Sequence, residues 1–330
     1  MASPASEEEF RRGPQMTMTF EATPEILAFM RRWSDEVPTL YFLDICVTNA
    51  TKLSLQALEK DTRKGALVTR LKELDKPQNS FSYLLALAEK VSDARGELTD
   101  TELEDQVVAD VAALRAFFAH ARVVEPDEFL RGYVRALRRM PHELSHDAYI
   151  RFLRAANDQF TLANPAARPR RLQKAKEILT AADALSIGRQ HPVVLVTLGC
   201  LYGNSAAKKL MKFKADGARF NAENALADIM IISRLIPRKL EIEQWGREGK
   251  ASFLRSDFLT DDDGLAGILK CFEGESVRSE CKGNVHQTEM RLTVHLEMLF
   301  PEIGTTRSGA EKAEGSAQDE FEQLRELLYQ

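Results

Sequence analysis

The stretch Leu40-Tyr41-Phe42-Leu43-Asp44-Ile45-Cys46-Val47-Thr48-Asn49 constrains the fold of this chain more than any other. It begins as a run of strand formers, aromatic and β-branched, ends in a carboxylate, and passes through hydroxyl and amide side chains into a helix-like segment. In an open α/β sheet, ligands sit just beyond the carboxyl ends of the strands, so an Asp placed where a buried strand runs out faces a crevice. The plainer role for Asp44 is to cap the helix that follows it.

The length of 330 residues, 44% of them hydrophobic, suffices for one large domain or two ordinary ones with a proper core. The start of the chain is polar and acidic, and no apolar run approaches the roughly 18 residues of a membrane span. The expectation is therefore a soluble cytoplasmic protein with no membrane partner. Cys46, Cys200, Cys271 and Cys281 fall at unrelated spacings and read as small buried hydrophobes. Cys271, Cys281, His286 and His295 lack zinc-finger spacing. Chemistry, if present, must come from carboxylates.

Taken in order, residues 1–18 are polar and expected to be disordered. Thr23-Pro24-Glu25 offers a cap, a proline at the first helical position and an acid in the first turn. After the strand to Asp44, apolar residues recur at helical spacing from Lys52 to Leu74, broken by Gly65 and stopped near Pro77. Asn79-Ser80-Phe81-Ser82 reads as the opening of a helix whose apolar stripe carries Glu89 at its side. A carboxylate beside such a stripe either has a buried partner or lies at the stripe's wet edge. The stretch 96–190 is dominated by helical patterns, with an exit linker at 163–171, and reads as an insertion. His142 and His146, one turn apart without a third ligand, read as surface residues.

Pro192–Leu201 is the most apolar run, and periodicity does not decide between a buried strand and a buried helix. A basic amphipathic helix follows from Ser205. Asn221, Asn224 and Asp228 then align on one face of an apolar helix, which is taken to stop near Pro237. Ala251–Leu259 reads as a second strand ending in acids, at Thr260-Asp261-Asp262-Asp263-Gly264-Leu265, where an acidic turn with Gly264 at positive φ is the simple alternative. The remainder to Phe300 reads as helical. Residues 304–318 read as a linker, and Phe321, Leu324, Leu327 and Leu328 form a terminal apolar stripe.

Net charge is −5 but unevenly spread. Residues 168–219 hold eleven basic residues against three acidic ones, a local +8 that leaves −13 for the rest. Such a block is a candidate footprint for a phosphate backbone, or simply a solvated helix face.

The order of the acids, strand-end Asp44, helical Glu89, helical Asp228 behind Asn224, then the Thr-x-Asp-x-Gly-Leu turn with Asp262 at its acidic position, resembles the PIN-like nucleases. The resemblance covers roughly residues 38–95 and 217–272. It implies an α/β, three-layer fold with a central parallel sheet, here with a large α-helical insertion at about 96–190. The domain would span 37–300, between an N-terminal extension (1–36) and a flexible linker with a short C-terminal helix (301–330). It further implies an endoribonuclease, such as a toxin or defence effector, in which Asp44, Glu89, Asp228 and Asp262 converge on Mg²⁺ or Mn²⁺, with Asp261 and Asp263 as alternative ligands. Thr48, Asn49, Asn224 and Thr260 would supply polar support. The basic block would hold RNA through Lys208, Lys209, Lys212 and Lys214, with Tyr202 offering a base a stacking face, which suits a single strand. A protein inhibitor, or self-association through the C-terminal helix, completes the expected partners. Two other classes remain. One is a helical interaction protein with a degenerate nuclease core. The other is a haloacid-dehalogenase-like phosphatase, in which Cys46 would stand in the place of the general acid.

Overall fold

The structure is a computed structural model that describes residues 23–93, 98–139, 145–164, 166–282, 285–304 and 314–330. The expectations for residues 1–18, for His142 and for most of the 304–318 linker lie outside the described residues, as do the side chains of Cys281 and His286. The chain divides into two compact units, Met1–Val37 and Pro38–Gln330.

The described residues of the first unit form the helix α1 (Pro24–Glu36), and its start is the one its sequence specifies. Pro24 opens it, and the Thr23 hydroxyl accepts the Ile26 N–H at 3.3 Å. None of its side chains is buried.

The second unit is built on a parallel sheet. Strand β1 (Thr39–Leu43) is buried at every position. It pairs in parallel with β2 (Ser80–Ser82) on one edge and β4 (Arg255–Leu259) on the other, while the two-residue β3 (Arg122–Val123) lies outside β2, giving the order β3-β2-β1-β4. Successive β1 side chains point to opposite faces, as the period of two requires. Tyr41 and Leu43 enter one core, and Leu40 and Phe42 the other.

The first core is closed by α2 (Ile45–Ala50), α4 (Thr62–Glu73), α5 (Leu84–Asp93), α6 (Asp100–Phe117) and α7 (Asp127–Arg139), with α3 (Leu55–Lys60) leading into α4. The second is larger. It holds α8 (His146–Asp158), α9 (Arg168–Ala184), α10 (Pro192–Leu201), α11 (Ser205–Met211), α12 (Ala222–Arg247), α13 (Asp263–Leu269), α14 (Leu296–Leu299), α15 (Pro301–Gly304) and α16 (Glu314–Tyr329). Two helical layers about a parallel sheet give the coarse α/β arrangement expected from the sequence.

Several local readings are corrected. Ser80–Ser82 is not a helix opening but strand β2, because Phe81 is needed in the first core beneath Tyr41 and Phe118. The stretch read as a mostly helical insertion is, in its described residues, helical apart from the two-residue β3, which joins the sheet, and it supplies α6 and α7 to the first core. Helix α4 runs through Gly65, and α12 runs through Pro237 to Arg247. The linker read at 163–171 is already helical from Arg168. Pro192–Leu201 resolves as a helix buried at all ten positions. The segment before Phe300 contains an antiparallel hairpin, β5 (Phe272–Lys282) and β6 (Val285–Val294), instead of helix. The terminal stripe is part of the second core: Phe321, Leu324 and Leu328 are buried, and Arg189 and Gln190 donate to the last carbonyls of α16 at Leu327 and Leu328. That face of the C-terminal helix is covered by its own chain.

Candidate active site at the carboxyl ends of β1 and β4

From β1 the chain steps outward to β2 and β3, then returns to place β4 on the opposite edge of β1. The direction of winding reverses between β1 and β4, and that is where an open parallel sheet leaves a crevice beyond its carboxyl ends. Asp44 stands at that place. Its N–H extends the ladder to Leu259 O at 3.0 Å, and its carbonyl starts α2 through Val47 and Thr48. Although it occupies the cap position of α2, its side chain makes no capping bond.

The carboxylate turns instead to the β4 exit. The Thr260 hydroxyl and the Cys46 thiol, at 3.2 Å, both donate to Asp44 Oδ2. Each donor is itself held by a backbone N–H of the same turn: Asp262 N–H to Thr260 Oγ1 at 2.9 Å, and Asp261 N–H to Cys46 Sγ at 3.3 Å. One oxygen of Asp44 is thus fixed by two short relays, and among the described residues nothing donates to the other and no cation pairs with either. Asp44 is 7% exposed. Burial, then the Asp44 charge, push the Cys46 thiol up to about 12. A thiol of that kind cannot act as the general acid that a dehalogenase-like phosphatase requires at this position.

The neighbouring acids are compensated. Asp261 lies between Arg63, at 2.9 Å, and Lys64. Asp262 caps α13 by accepting from Gly264 N–H at 2.7 Å and Leu265 N–H at 3.0 Å, and its second oxygen takes Lys212 at 3.2 Å. Burial raises the Asp262 pKa, but the Leu265 N–H and the Lys212 charge outweigh it and hold the group below the usual carboxylate range. Gly264 is helical and not at positive φ; a β-carbon there would meet Leu210 N at 2.6 Å, so glycine is needed for the close approach of α13 to α11. That approach brings the basic helix to the acidic turn. Lys212, itself left-handed at φ 52°, reaches Asp262, and Lys209 lies 3.8 Å from the exposed Asp263.

The remaining expected residues are placed as follows. Thr48 is buried and bonds to the Asp44 carbonyl at 3.4 Å, so it supports the turn and not the carboxylate. The Asn49 side chain is exposed. Asn221 caps α12, and Asn224 bonds Asp228 one turn on at 3.2 Å, which accounts for the amide stripe on that helix. Glu89 and Asp228 are half-buried, on helices α5 and α12 that pack together. Among the described residues no group of three or more His, Cys, Asp or Glu side chains is placed to hold a metal ion. Lys208 and Lys214 are exposed. Tyr202 is fully buried, its ring 5.5 Å from that of Phe300, and offers no stacking face. Nor is the basic block one surface: Arg171 is buried against Glu302, and Arg189 is spent on Asp183 and α16.

Three buried acids were missed in the sequence: Glu104, paired with Arg135 at 2.6 Å, and two others. Asp110 gathers Lys52, Lys90 at 2.6 Å and the Tyr83 hydroxyl at 2.7 Å. Glu125, just past β3, accepts from the Ser82 hydroxyl and from Tyr83 N–H at 3.0 Å. Both lie within patterns that read simply as helical. Beside Thr260, a cleft of about 480 Å³ opens between α12, β4 and α13, with Leu235, Leu240 and Phe258 in its walls and both Lys239 and Glu243 at its sides. No family model, curated protein or solved structure matches this chain.

Proposed function

We propose that this chain is a metal-dependent hydrolase of RNA phosphodiester bonds working at the carboxyl ends of β1 and β4. The observation that carries the reading is the state of Asp44. A carboxylate so far removed from water needs a counter-charge, and among the described residues the donors it meets are a neutral hydroxyl and a neutral thiol. A hard divalent cation fits that oxygen donor, because Mg²⁺ is commonly held by one or two carboxylates with water and substrate phosphate completing the shell. Asp44 would hold it, with Asp262 joining when Lys212 moves to a phosphate. Such an ion polarises a phosphodiester and lowers the pKa of bound water. Thr260 and Cys46 keep one Asp44 oxygen turned inward and leave the other for the ion. Lys208, Lys209 and Lys214 draw in the polyanion that the acids repel.

The degenerate-core reading is favoured by one feature: Asp261 and Asp262 already carry internal counter-charges. A single titration separates the two. Mn²⁺ or Mg²⁺ is expected to raise the melting temperature of the wild type, an effect lost in Asp44→Asn, and to support cleavage of single-stranded RNA that chelation abolishes. Absence of both the metal-induced shift and cleavage overturns the hydrolase.

A further inference from the structure

The cleft beside Thr260 is built within the Pro38–Gln330 unit, to which every described residue lining it belongs. Its volume of about 480 Å³ falls within the roughly 300–1,000 Å³ of small-molecule sites, enough for one compact ligand. The walls are apolar: Leu235, Ile236 and Leu240 come from α12, Phe258 from β4, Leu269 from α13 and Phe272 from β5. Gly274 lets β5 come close to α12 at this wall, since a β-carbon there would meet Ile236 Cγ2 at 2.2 Å.

Six charged side chains also line the cleft, and they divide by sign. Each carboxylate is already engaged. Glu243 accepts from Ser256 N–H at 2.9 Å and from Ser256 Oγ at 2.8 Å, Asp257 from Phe258 N–H at 2.8 Å, and Glu273 from His295 Nε2 at 3.1 Å. The side chains of Arg70, Lys239 and Lys270, by contrast, form no ion pair and no hydrogen bond among the described residues. Arg70 and Lys270 are exposed and Lys239 is half-buried, so all three have charge to offer a ligand at the mouth.

We infer that the cleft binds a small amphipathic anion, an apolar body ending in a carboxylate or phosphate. The body fills the apolar walls, and the head accepts charge-assisted hydrogen bonds from cations that have no other partner. A wholly apolar molecule leaves those cations without a counter-charge, and a cationic one meets only acceptors that are already taken. Charge complementarity of this kind selects among ligands of similar shape. The inference does not rest on the hydrolase reading and holds whether or not Asp44 takes a metal. Thr260 makes the two sites neighbours, because it lines the cleft and donates its hydroxyl to Asp44.

The test uses the full chain with 8-anilino-1-naphthalenesulfonate, an aromatic anion whose fluorescence rises on leaving water, and competitors that differ only in charge. Octanoate is expected to displace the dye about tenfold more effectively than octanol, which has the same tail and no charge. Uridine monophosphate against uridine makes the same comparison for an aromatic body and a phosphate head. Displacement by octanoate identifies an aliphatic carboxylate as the ligand, displacement by the nucleotide a nucleoside phosphate, and either supports the inference. Lys239→Glu with Lys270→Glu is expected to weaken the displacing anion about tenfold at an unchanged melting temperature. Ala266→Phe, which fills the cleft, is expected to abolish the displaceable dye signal; should that chain not fold, the charge variant decides. Equal displacement by the charged and uncharged member of both pairs overturns the inference. So does failure of both anions to compete, or competition unchanged in the charge variant.

Discussion

At the scale of single residues, the acid with the clearest energetic signature is Glu125. It is 6% exposed and joins the exit of β3 to that of β2 by accepting from Ser82 and Tyr83. Burial raises its pKa above the ordinary value of 4.5. A carboxyl whose folded pKa is raised stabilises fully below its unfolded pKa, and that contribution is lost as pH climbs through the folded value. Glutamine at this site can still accept from Tyr83 N–H through its oxygen and donate to Ser82 through its amide. Glu125→Gln is therefore expected to gain on the wild type as pH rises above about 4.5 in urea denaturation, levelling off once pH passes the raised pKa, by roughly 1.4 kcal/mol for each unit by which the pKa is raised. A difference that does not change with pH would show that Glu125 titrates alike in the folded and unfolded chain. Asp44 makes the contrasting case. Its place at the end of a buried strand was legible because a strand-forming run ended in an acid, but its neighbours were only half legible. The Thr260 contact joins residues 216 apart, and no spacing rule reaches that far.

At the scale of elements, long periodic segments were readable and short ones were not. Caps and apolar stripes gave α1 and α6 because each carries its own start signal and runs through enough turns to be recognised. β2 is three residues long and β3 two, and their identity comes from the neighbours they pair with, not from their own sequence. Pro192–Leu201 is uniformly apolar, so it has no face for periodicity to detect; its helical state follows from being enclosed on all sides. The C-terminal stripe was visible as a stripe, but which surface it covers is a tertiary fact. Leu324 on α16 is 1% exposed, and Leu324→Ala is expected to cost about 2–5 kcal/mol by chemical denaturation, as for a core leucine. A cost under about 0.5 kcal/mol would mean that α16 is a surface appendage.

At the scale of the whole molecule, charge and chain order govern what the fold can do. The net charge of −5 repels a polyanion, so on the proposed function RNA would enter through the exposed lysines that α11 brings to the acidic turn. Replacing Lys208, Lys209 and Lys212 with Ala is expected to weaken single-stranded RNA binding and to flatten its salt dependence by about 0.7 log units per log unit of salt for each lysine that neutralises a phosphate. Filter binding at several salt concentrations measures this, and an unchanged slope would assign those lysines to solvent alone. The pairing of β1 with β4 has a consequence in time. The two strands that build the site are separated by 216 residues, from Asp44 to Thr260. At the usual speeds of translation, roughly 5–20 residues per second, the ribosome takes on the order of 10–40 s to cover that distance. During the whole interval β1 has emerged with one edge unsatisfied, and any other strand presented to it competes with Arg255–Leu259. The feature that gathers the site is thus also the step at which a nascent chain is most easily diverted, and a stalled or truncated product would carry Asp44 on an open, adhesive edge.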